Sequence, residues 1–144
     1  MAGIDFGTVR IGIALSDARR TIASPFENYT RRSRQADAAH LKRLADEERV
    51  TLFVVGLPVH LDGRESQKSR EAREFGEWLA STTGVPVVYF DERFTTAEAE
   101  QHLGAAELTK KQRKARLDKL AAQILLAAFL EAGGPTVNPR GLDD

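Results

Sequence analysis

Apolar residues form short runs at the start of the chain, separated by residues that favour turns. Residues 2–6 and 11–16 are both short and apolar, and the four residues between them, 7–10, are typical of a turn. This pattern predicts a β-hairpin. A third antiparallel strand is predicted over residues 21–30, where Pro25 indicates either a sheet edge or an interruption.

The rest of the chain alternates helical periodicity with continuous apolar runs. Apolar residues three or four positions apart predict helices, and Ser66 and the segment 95–98 have N-cap patterns. The apolar runs are typical of strands buried on both faces. The predicted elements are a helix over residues 36–49, a strand over 52–55, a helix over 66–81, a strand over 85–90, a helix beginning at 95 and a last helix over 109–132.

This order of elements predicts an α/β fold with a mixed β-sheet. Three antiparallel strands come first, and the later strands, each preceded by a helix, require parallel pairing with helices on both faces of the sheet. The 144 residues fit one domain. We expect that domain to span residues 1–134 and to be followed by a mobile polar tail over residues 135–144. Ligands of such sheets gather at the carboxyl ends of the parallel strands.

Composition restricts the kind of metal site that the chain can form. The sequence has no cysteine, and its three histidines, His40, His60 and His102, are far apart. Disulfides and thiolate sites are therefore excluded, and a zinc site is disfavoured. Any metal would be held by oxygen, which indicates Mg²⁺ or Mn²⁺. The sequence shows no signal peptide and no apolar run of about 20 residues, so we expect a cytoplasmic protein without membrane contact.

Charge is balanced overall but clustered locally. Lys+Arg and Asp+Glu number 21 each, so net charge neither favours nor excludes nucleic acid. Local basic patches can bind phosphates even when net charge is zero, although solvated helix and loop surfaces have the same composition. The two clusters consist of Arg31, Arg32 and Arg34, and of Lys110, Lys111, Arg113, Lys114, Arg116 and Lys119.

Asp5 is an acidic residue within the first predicted strand. Alternation places it on the same face as Gly3 and Gly7, which leave room for a close approach to the backbone. A carboxylate in a central strand is costly to bury unless it is paired or binds a metal ion. Metal or phosphate chemistry is the favoured interpretation, and a salt bridge to Arg10 or Arg93 is the alternative.

Further acids follow the last predicted strand and lie in the last helix. Asp91 and Glu92 are adjacent, so on an extended chain only one of them faces the Asp5 side, and the residues alone do not decide which. Asp118 precedes an apolar stretch of the last helix, where an i, i+4 pair with Lys114 is the structural alternative. Carboxylates from separate elements can hold divalent ions that activate water against a phosphodiester. These acids, flanked by basic residues, indicate a metal-dependent nuclease.

Four segments, in this order, resemble the YqgF/RuvX family, whose members are described as pre-16S rRNA nucleases and as Holliday-junction resolvase-like proteins. No single segment is decisive, but four in order are highly specific. They span residues 3 to about 130. The segments are residues 3–17, residues 54–58 with Asp62 and Gly63, residues 91–96 and residues 118–126.

The resemblance implies an RNase H-like fold, a divalent metal ion and a triad of acids. It assigns catalysis and metal binding to Asp5, Glu92 and Asp118, and so selects Glu92 over Asp91. The chain has no further acid one turn after Asp118, which leaves a one-metal site as an alternative to two metals. Val9 stands where the family usually has lysine. The residues expected to bind nucleic acid are Arg10, Arg93, Lys110, Lys111 and Lys114.

The expected function is processing of the 5′ end of pre-16S rRNA. The first alternative is resolution of Holliday junctions, which requires two symmetrical cuts and therefore a dimer; the sequence is compatible with a monomer or a homodimer. The segment 5–8 also resembles the phosphate-binding turn of ATP-binding actin and hexokinase-like domains, but those folds need two such domains. A non-catalytic nucleic-acid-binding protein of the same fold is the last alternative.

Overall fold

A five-stranded mixed sheet forms the centre of the molecule. The computed structural model describes residues 1–58, 66–92 and 110–133, excluding the side chains of residues 110–119. Its elements are β1 (Ala2–Phe6), β2 (Arg10–Ser16), β3 (Ala23–Thr30), α1 (Arg34–Glu47), β4 (Phe53–Leu57), α2 (Gln67–Thr83), β5 (Val87–Asp91) and α3 (Lys110–Glu131).

The strand order β3-β2-β1-β4-β5 places β1 in the middle of the sheet. β2 pairs with β1 and β3 in antiparallel orientation, whereas β4 pairs with β1 and β5 in parallel. The predicted hairpin and mixed sheet are therefore confirmed. Because β1, β4 and β5 run in one direction, their carboxyl ends meet at the same edge of the sheet, where open α/β sheets bind ligands.

β3 is an edge strand, which is one of the two alternatives that Pro25 indicates. Pro25 pairs with Ala14, and the register shifts between Ile13 and Ala14. Proline has no N–H to donate, so strands tolerate it where one side of the ladder is open. The strand begins at Ala23, two residues later than predicted, because the carboxylate of Asp17 accepts hydrogen bonds from the backbone N–H groups of Thr21 and Ile22 and holds those residues in a turn.

Each face of the sheet packs against helices. In β1, Ile4 lies in the core formed with α1 and α2, while Gly3, on the opposite face, contacts α3. All five residues of β4 are buried, which confirms a strand covered on both faces. Each large apolar side chain buried in these two cores contributes roughly 1.5–3 kcal/mol relative to an exposed position. In the three described stretches, no helix combines the length and apolar character that crossing a membrane requires.

The helix boundaries follow from their caps. α1 begins at Arg34, two residues earlier than predicted, because the Ser33 hydroxyl accepts a hydrogen bond from the N–H of Ala36 at 3.0 Å. Ser66 caps α2 as predicted, by accepting from the N–H of Ser69. The helix predicted from residue 95 and the tail predicted over residues 135–144 lie outside the described residues.

Candidate active site

A cavity of about 380 Å³ opens at the carboxyl ends of β1 and β4. It contains two of the acids predicted from the sequence, Asp5 and Glu92, and a lysine from the first turn of α2. Its position at the end of parallel strands is the one expected for a ligand site in this type of sheet. The residues lining this active-site pocket are Asp5, Phe6, Gly7, Thr8, Pro58, Lys68, Glu71, Ala72 and Glu92.

The side chains of Asp5 and Glu92 share a hydrogen bond. Burial, the largest influence, raises the pKa of the Glu92 carboxyl above its ordinary value, and the negative charge of Asp91 raises it further. The hydrogen bond with Asp5 and the positive charge of Lys68 act in the opposite direction. The site therefore concentrates negative charge that a cation would neutralise.

Gly56 in β4 makes room for Glu92. A Cβ atom at position 56 would contact Oε1 of Glu92 and would lie 3.0 Å from its Cγ and 3.1 Å from its Cδ. Such distances are shorter than ordinary van der Waals contact, so any larger residue would displace the carboxylate. The glycine thus allows an acid that follows β5 to reach the acid of β1 across the intervening strand.

The structure brings Glu92, rather than Asp91, to Asp5. Asp91 is 6% exposed, and its partner in the ladder is Leu57, whose side chain belongs to the core with α1 and α2. Within the described part of the chain, the lining of the active-site pocket includes Glu92 and does not include Asp91. Alternation shows only that Asp91 and Glu92 point to opposite faces of the sheet. Which of them points to the Asp5 face depends on how β5 pairs with β4.

Asp118 lies in α3, on the helix that covers the Asp5 face of the sheet. Gly3 shares that face with Asp5, and a Cβ atom at Gly3 would lie 3.0 Å from the carbonyl oxygen of Ala122 and 2.9 Å from Cβ of Leu126. Asp118 precedes Ala122 by about one helical turn, and its side chain is outside the described part of the structure. Gly3 therefore makes room for the helix and not for a ligand.

A model of the RuvX family, described as "Holliday junction resolvase", matches residues 1–132. This chain belongs to the RuvX family. A relative from Rhodopirellula baltica is 48% identical over 132 residues, which are 92% of this chain and 76% of the relative. A relative from Koribacter versatilis is 39% identical over 91% of this chain and 86% of its own length. Both relatives carry the name "Putative pre-16S rRNA nuclease".

The fold of this RuvX protein is also similar to that of a solved resolvase. Thermus thermophilus RuvC, in a structure with a Holliday junction substrate, superposes with a TM-score of 0.54 and covers 94% of this chain and 98% of its own. The sequence identity is 17%, so the likeness concerns the fold alone. It confirms the expected RNase H-like mixed sheet with helices on both faces.

Resolvases and nucleases of this family use divalent metal ions in general, and the Asp5–Glu92 pair suits such an ion. Two carboxylates that already approach within hydrogen-bond contact supply the hard oxygen ligands that Mg²⁺ and Mn²⁺ prefer. Among the described residues, no group of three or more acidic or histidine side chains is placed to hold a metal ion.

The basic residues of the RuvX site include one that was not predicted from the sequence. Lys68 lies in the first turn of α2 and lines the active-site pocket with the two acids. The Ser66 N-cap is the signal that could have found it, because a helix following a parallel strand begins at the ligand-binding edge. Of the predicted basic residues, Arg10 opens β2 and is half-buried. The others lie outside the described side chains: Arg93, Lys110, Lys111 and Lys114.

Proposed function

We propose that this RuvX protein is a nuclease that processes the 5′ end of pre-16S rRNA in the cytoplasm. The observation that carries the proposal is the hydrogen-bonded pair of acids, Asp5 and Glu92, at the carboxyl ends of parallel strands. A pair of acids from separate strands beside a lysine has the composition needed to bind metal and phosphate together. The names of the relatives from Rhodopirellula baltica and Koribacter versatilis support RNA as the substrate.

In the proposed reaction, the protein holds the ion and the phosphodiester in one pocket. Asp5 and Glu92 would hold Mg²⁺ or Mn²⁺, and Asp118 is proposed as the third ligand. The bound metal supplies Lewis-acid stabilisation of the phosphate and activation of a water molecule. Lys68 lies in the same pocket, where its ammonium group would bind a non-bridging oxygen of the phosphate.

Basic residues around the pocket would position the rest of the RNA. Arg10 follows the β1–β2 turn, which contributes Gly7 and Thr8 to the pocket lining. Arg93 directly follows Glu92 in the sequence, and the basic segment 110–119 precedes the part of α3 that packs on the sheet. Phosphate contacts of this kind fix register and orientation without reading sequence.

Cleavage of an RNA that carries the 5′ leader of 16S rRNA tests the proposal. Wild-type protein should cut the RNA with Mg²⁺ or Mn²⁺ and not with EDTA. Asp5→Asn, Glu92→Gln and Asp118→Asn should each lose cleavage by a factor of roughly 100 or more while remaining folded, and Asp46→Asn, an exposed acid of α1, should not. Wild-type activity in Asp5→Asn, or unfolding of that variant, would refute the assignment of Asp5.

Junction resolution is a second candidate, favoured by the description of the matching family as "Holliday junction resolvase". The same metal site would serve either substrate, so the acids do not distinguish them. A resolvase must cut two strands symmetrically and therefore act as a dimer. Paired nicks in a four-way DNA junction, together with a dimer in analytical ultracentrifugation, would establish this function. A monomer that cuts only the RNA would exclude it.

A further inference from the structure

A second cavity, of about 340 Å³, adjoins the active-site pocket. The two cavities share Phe6, Thr8 and Glu71, so a substrate bound in one can extend into the other. A volume of this size is at the lower end of that of small-molecule sites. We call this second cavity the side groove. Its lining consists of Phe6, Thr8, Arg31, Arg34, Glu71, Glu74, Phe75 and Trp78.

One wall of the side groove is aromatic. The rings of Phe6 and Phe75 stack with centroids 4.6 Å apart, and Trp78 packs on Phe75 at 5.6 Å with a tilt of 40°. Phe75 is buried, whereas Trp78 is only partly buried and lines the groove. Its contact with the buried Phe75 ring supports the indole from within the protein. A supported, partly exposed indole is a surface on which a nucleobase can stack.

Two arginines also line the side groove. The guanidinium of Arg31 lies 5.3 Å from the centroid of the Phe6 ring, and its Nε donates to Asp37 at 3.2 Å. Asp37 is itself fixed, since it accepts from the hydroxyl of Tyr29 at 2.7 Å. Arginine has five N–H donors, and the contact with Asp37 uses the one at Nε. Arg34, at the start of α1, is exposed and lines the same groove.

We propose that the side groove binds one unpaired nucleotide of the substrate, adjacent to the bond that is cut. The base stacks on Trp78, and the phosphate of the same nucleotide contacts Arg31 and Arg34. The carboxylates of Glu71 and Glu74 on α2 repel phosphate. This repulsion favours the orientation in which the phosphate lies at the arginines and the base lies on Trp78. This inference rests on the proposed nuclease function. It restricts the substrate to a nucleic acid that is unpaired next to the bond that is cut.

A paired base cannot enter this groove without leaving its helix. Extrusion of a base from a duplex costs a few kcal/mol, and a single strand avoids that cost. Recognition of unpaired bases by aromatic and arginine side chains is also the usual way in which proteins bind single-stranded RNA. The groove therefore favours an unpaired leader over a continuous duplex as the substrate of this site.

The fluorescence of Trp78 reports contacts at this residue, because it is the only tryptophan in the chain. The experiment uses the Asp5→Asn protein with Mg²⁺, so that the RNA is bound but not cut. A single-stranded leader RNA should quench the Trp78 fluorescence. A series of the same RNA is then made, each with one abasic residue at a different position. One member of the series should fail to quench the fluorescence and should bind about tenfold more weakly than the intact RNA.

Three variants, made in the Asp5→Asn protein, separate the contact from a structural effect. Trp78→Leu should weaken binding of a labelled leader RNA about tenfold, and Trp78→Phe should restore most of it, because an aromatic ring still stacks. Arg31→Gln should weaken binding more than the matched change Arg43→Gln, which lies on the exposed surface of α1. Circular dichroism would verify that each variant is folded.

Quenching by a fully paired RNA as strong as that by the single strand would overturn the inference. So would unchanged affinity in Trp78→Leu, or an abasic scan with no sensitive position. None of these results concerns metal-dependent cleavage by the wild-type protein, which tests the proposed function separately. If the wild-type protein cuts RNA but no base affects the fluorescence of Trp78, the proposed nuclease function stands. The side groove would then not be part of the substrate site.

Discussion

Small residues decide where the acids of the site can lie. Glu92 reaches Asp5 only because position 56 of the strand between them has no side chain. Glycine in the interior of a strand lowers stability by roughly 0.5–1 kcal/mol relative to alanine. Gly56 therefore lies in a buried strand at a cost in stability, and its role is to leave space at the site.

Gly56→Ala tests this role. The added methyl group must displace Glu92 from Asp5, and a shift of about 1 Å in a catalytic group can lower activity roughly 100-fold. We expect metal-dependent cleavage to fall at least tenfold, and Glu92→Asp, a shorter acid, to recover part of the activity in the Gly56→Ala background. Ser24→Ala, at an exposed position of β3 outside the lining of the active-site pocket, is the control. Full activity in Gly56→Ala would show that the contact is irrelevant.

Asp37 is a buried carboxylate whose ionisation contributes to folding. It is 2% exposed and accepts hydrogen bonds from the Arg32 N–H at 3.0 Å, from Tyr29 and from Arg31. Burial alone raises the pKa of Asp37. The hydrogen bonds, together with the charge of Arg31, outweigh burial and hold the pKa below its ordinary value of 3.8. A lowered folded-state pKa stabilises the protein above the unfolded value, and this contribution is lost as pH falls through the folded pKa.

Asp37→Asn should therefore destabilise the protein mainly at neutral pH. We expect the free energy of unfolding to fall by about 1–3 kcal/mol near pH 7, because a buried, charge-assisted network is broken. Urea titrations at several pH values would measure the difference between wild type and variant. The difference should shrink as pH falls below the unfolded value of 3.8 and through the lower folded-state pKa, where Asp37 becomes protonated in the native protein. A difference that does not change between neutral and acidic pH would contradict this account, and Asp46→Asn controls for exposed acids.

The sequence predicts individual strands and helices more reliably than it predicts how they pack against one another. The hairpin was predicted because apolar runs flank a short turn, and β4 because its run is apolar on both faces. The N-cap of α2 was predicted from Ser66 alone. The α1 start was placed two residues late because Ser33, its actual cap, lies among arginines and not before the first apolar residue.

The geometry of the site required information that periodicity does not contain. Alternation cannot show that β4 inserts beside β1, and without that pairing the faces of Asp91 and Glu92 are undetermined. The choice of Glu92 came from the resemblance to the family. Apart from the N-cap at Ser66, nothing in the sequence distinguishes Lys68 from other exposed helix residues, and the packing of α2 brings it into the pocket with the acids.

The cap of α2 also links the start of this helix to the residue that follows β4. The Ser66 hydroxyl accepts from the N–H of Ser69 at 3.1 Å and donates to the carbonyl oxygen of Pro58 at 3.0 Å. Ser66→Ala should lower the free energy of unfolding by about 1 kcal/mol, as N-cap removal usually does. Ser66→Asp keeps an acceptor at the N-terminus and should retain most of the stability. Equal loss in both variants, measured by thermal denaturation, would show that the Pro58 contact dominates instead.

On the scale of the whole molecule, equal numbers of acidic and basic residues mean that no net charge draws the protein to RNA. Affinity must then depend on where the basic residues lie. The segment 110–119 is the most basic part of the chain, and it leads into the half of α3 that packs on the Asp5 face of the sheet. An electrostatic contribution from this segment should be visible in the salt dependence of binding.

Substituting Lys110, Lys111 and Lys114 together by glutamine should therefore weaken RNA binding and flatten its salt dependence. Each lost contact to a single strand lowers the slope of log K against log salt by about 0.7, so three contacts lower it by about 2. The matched control replaces three exposed basic residues elsewhere, Arg19, Lys42 and Arg49, by glutamine and removes the same charge. If local placement decides affinity, only the first variant changes the slope. Equal changes in both variants would show that RNA responds to total charge, and no change in either would remove residues 110–119 from the binding surface.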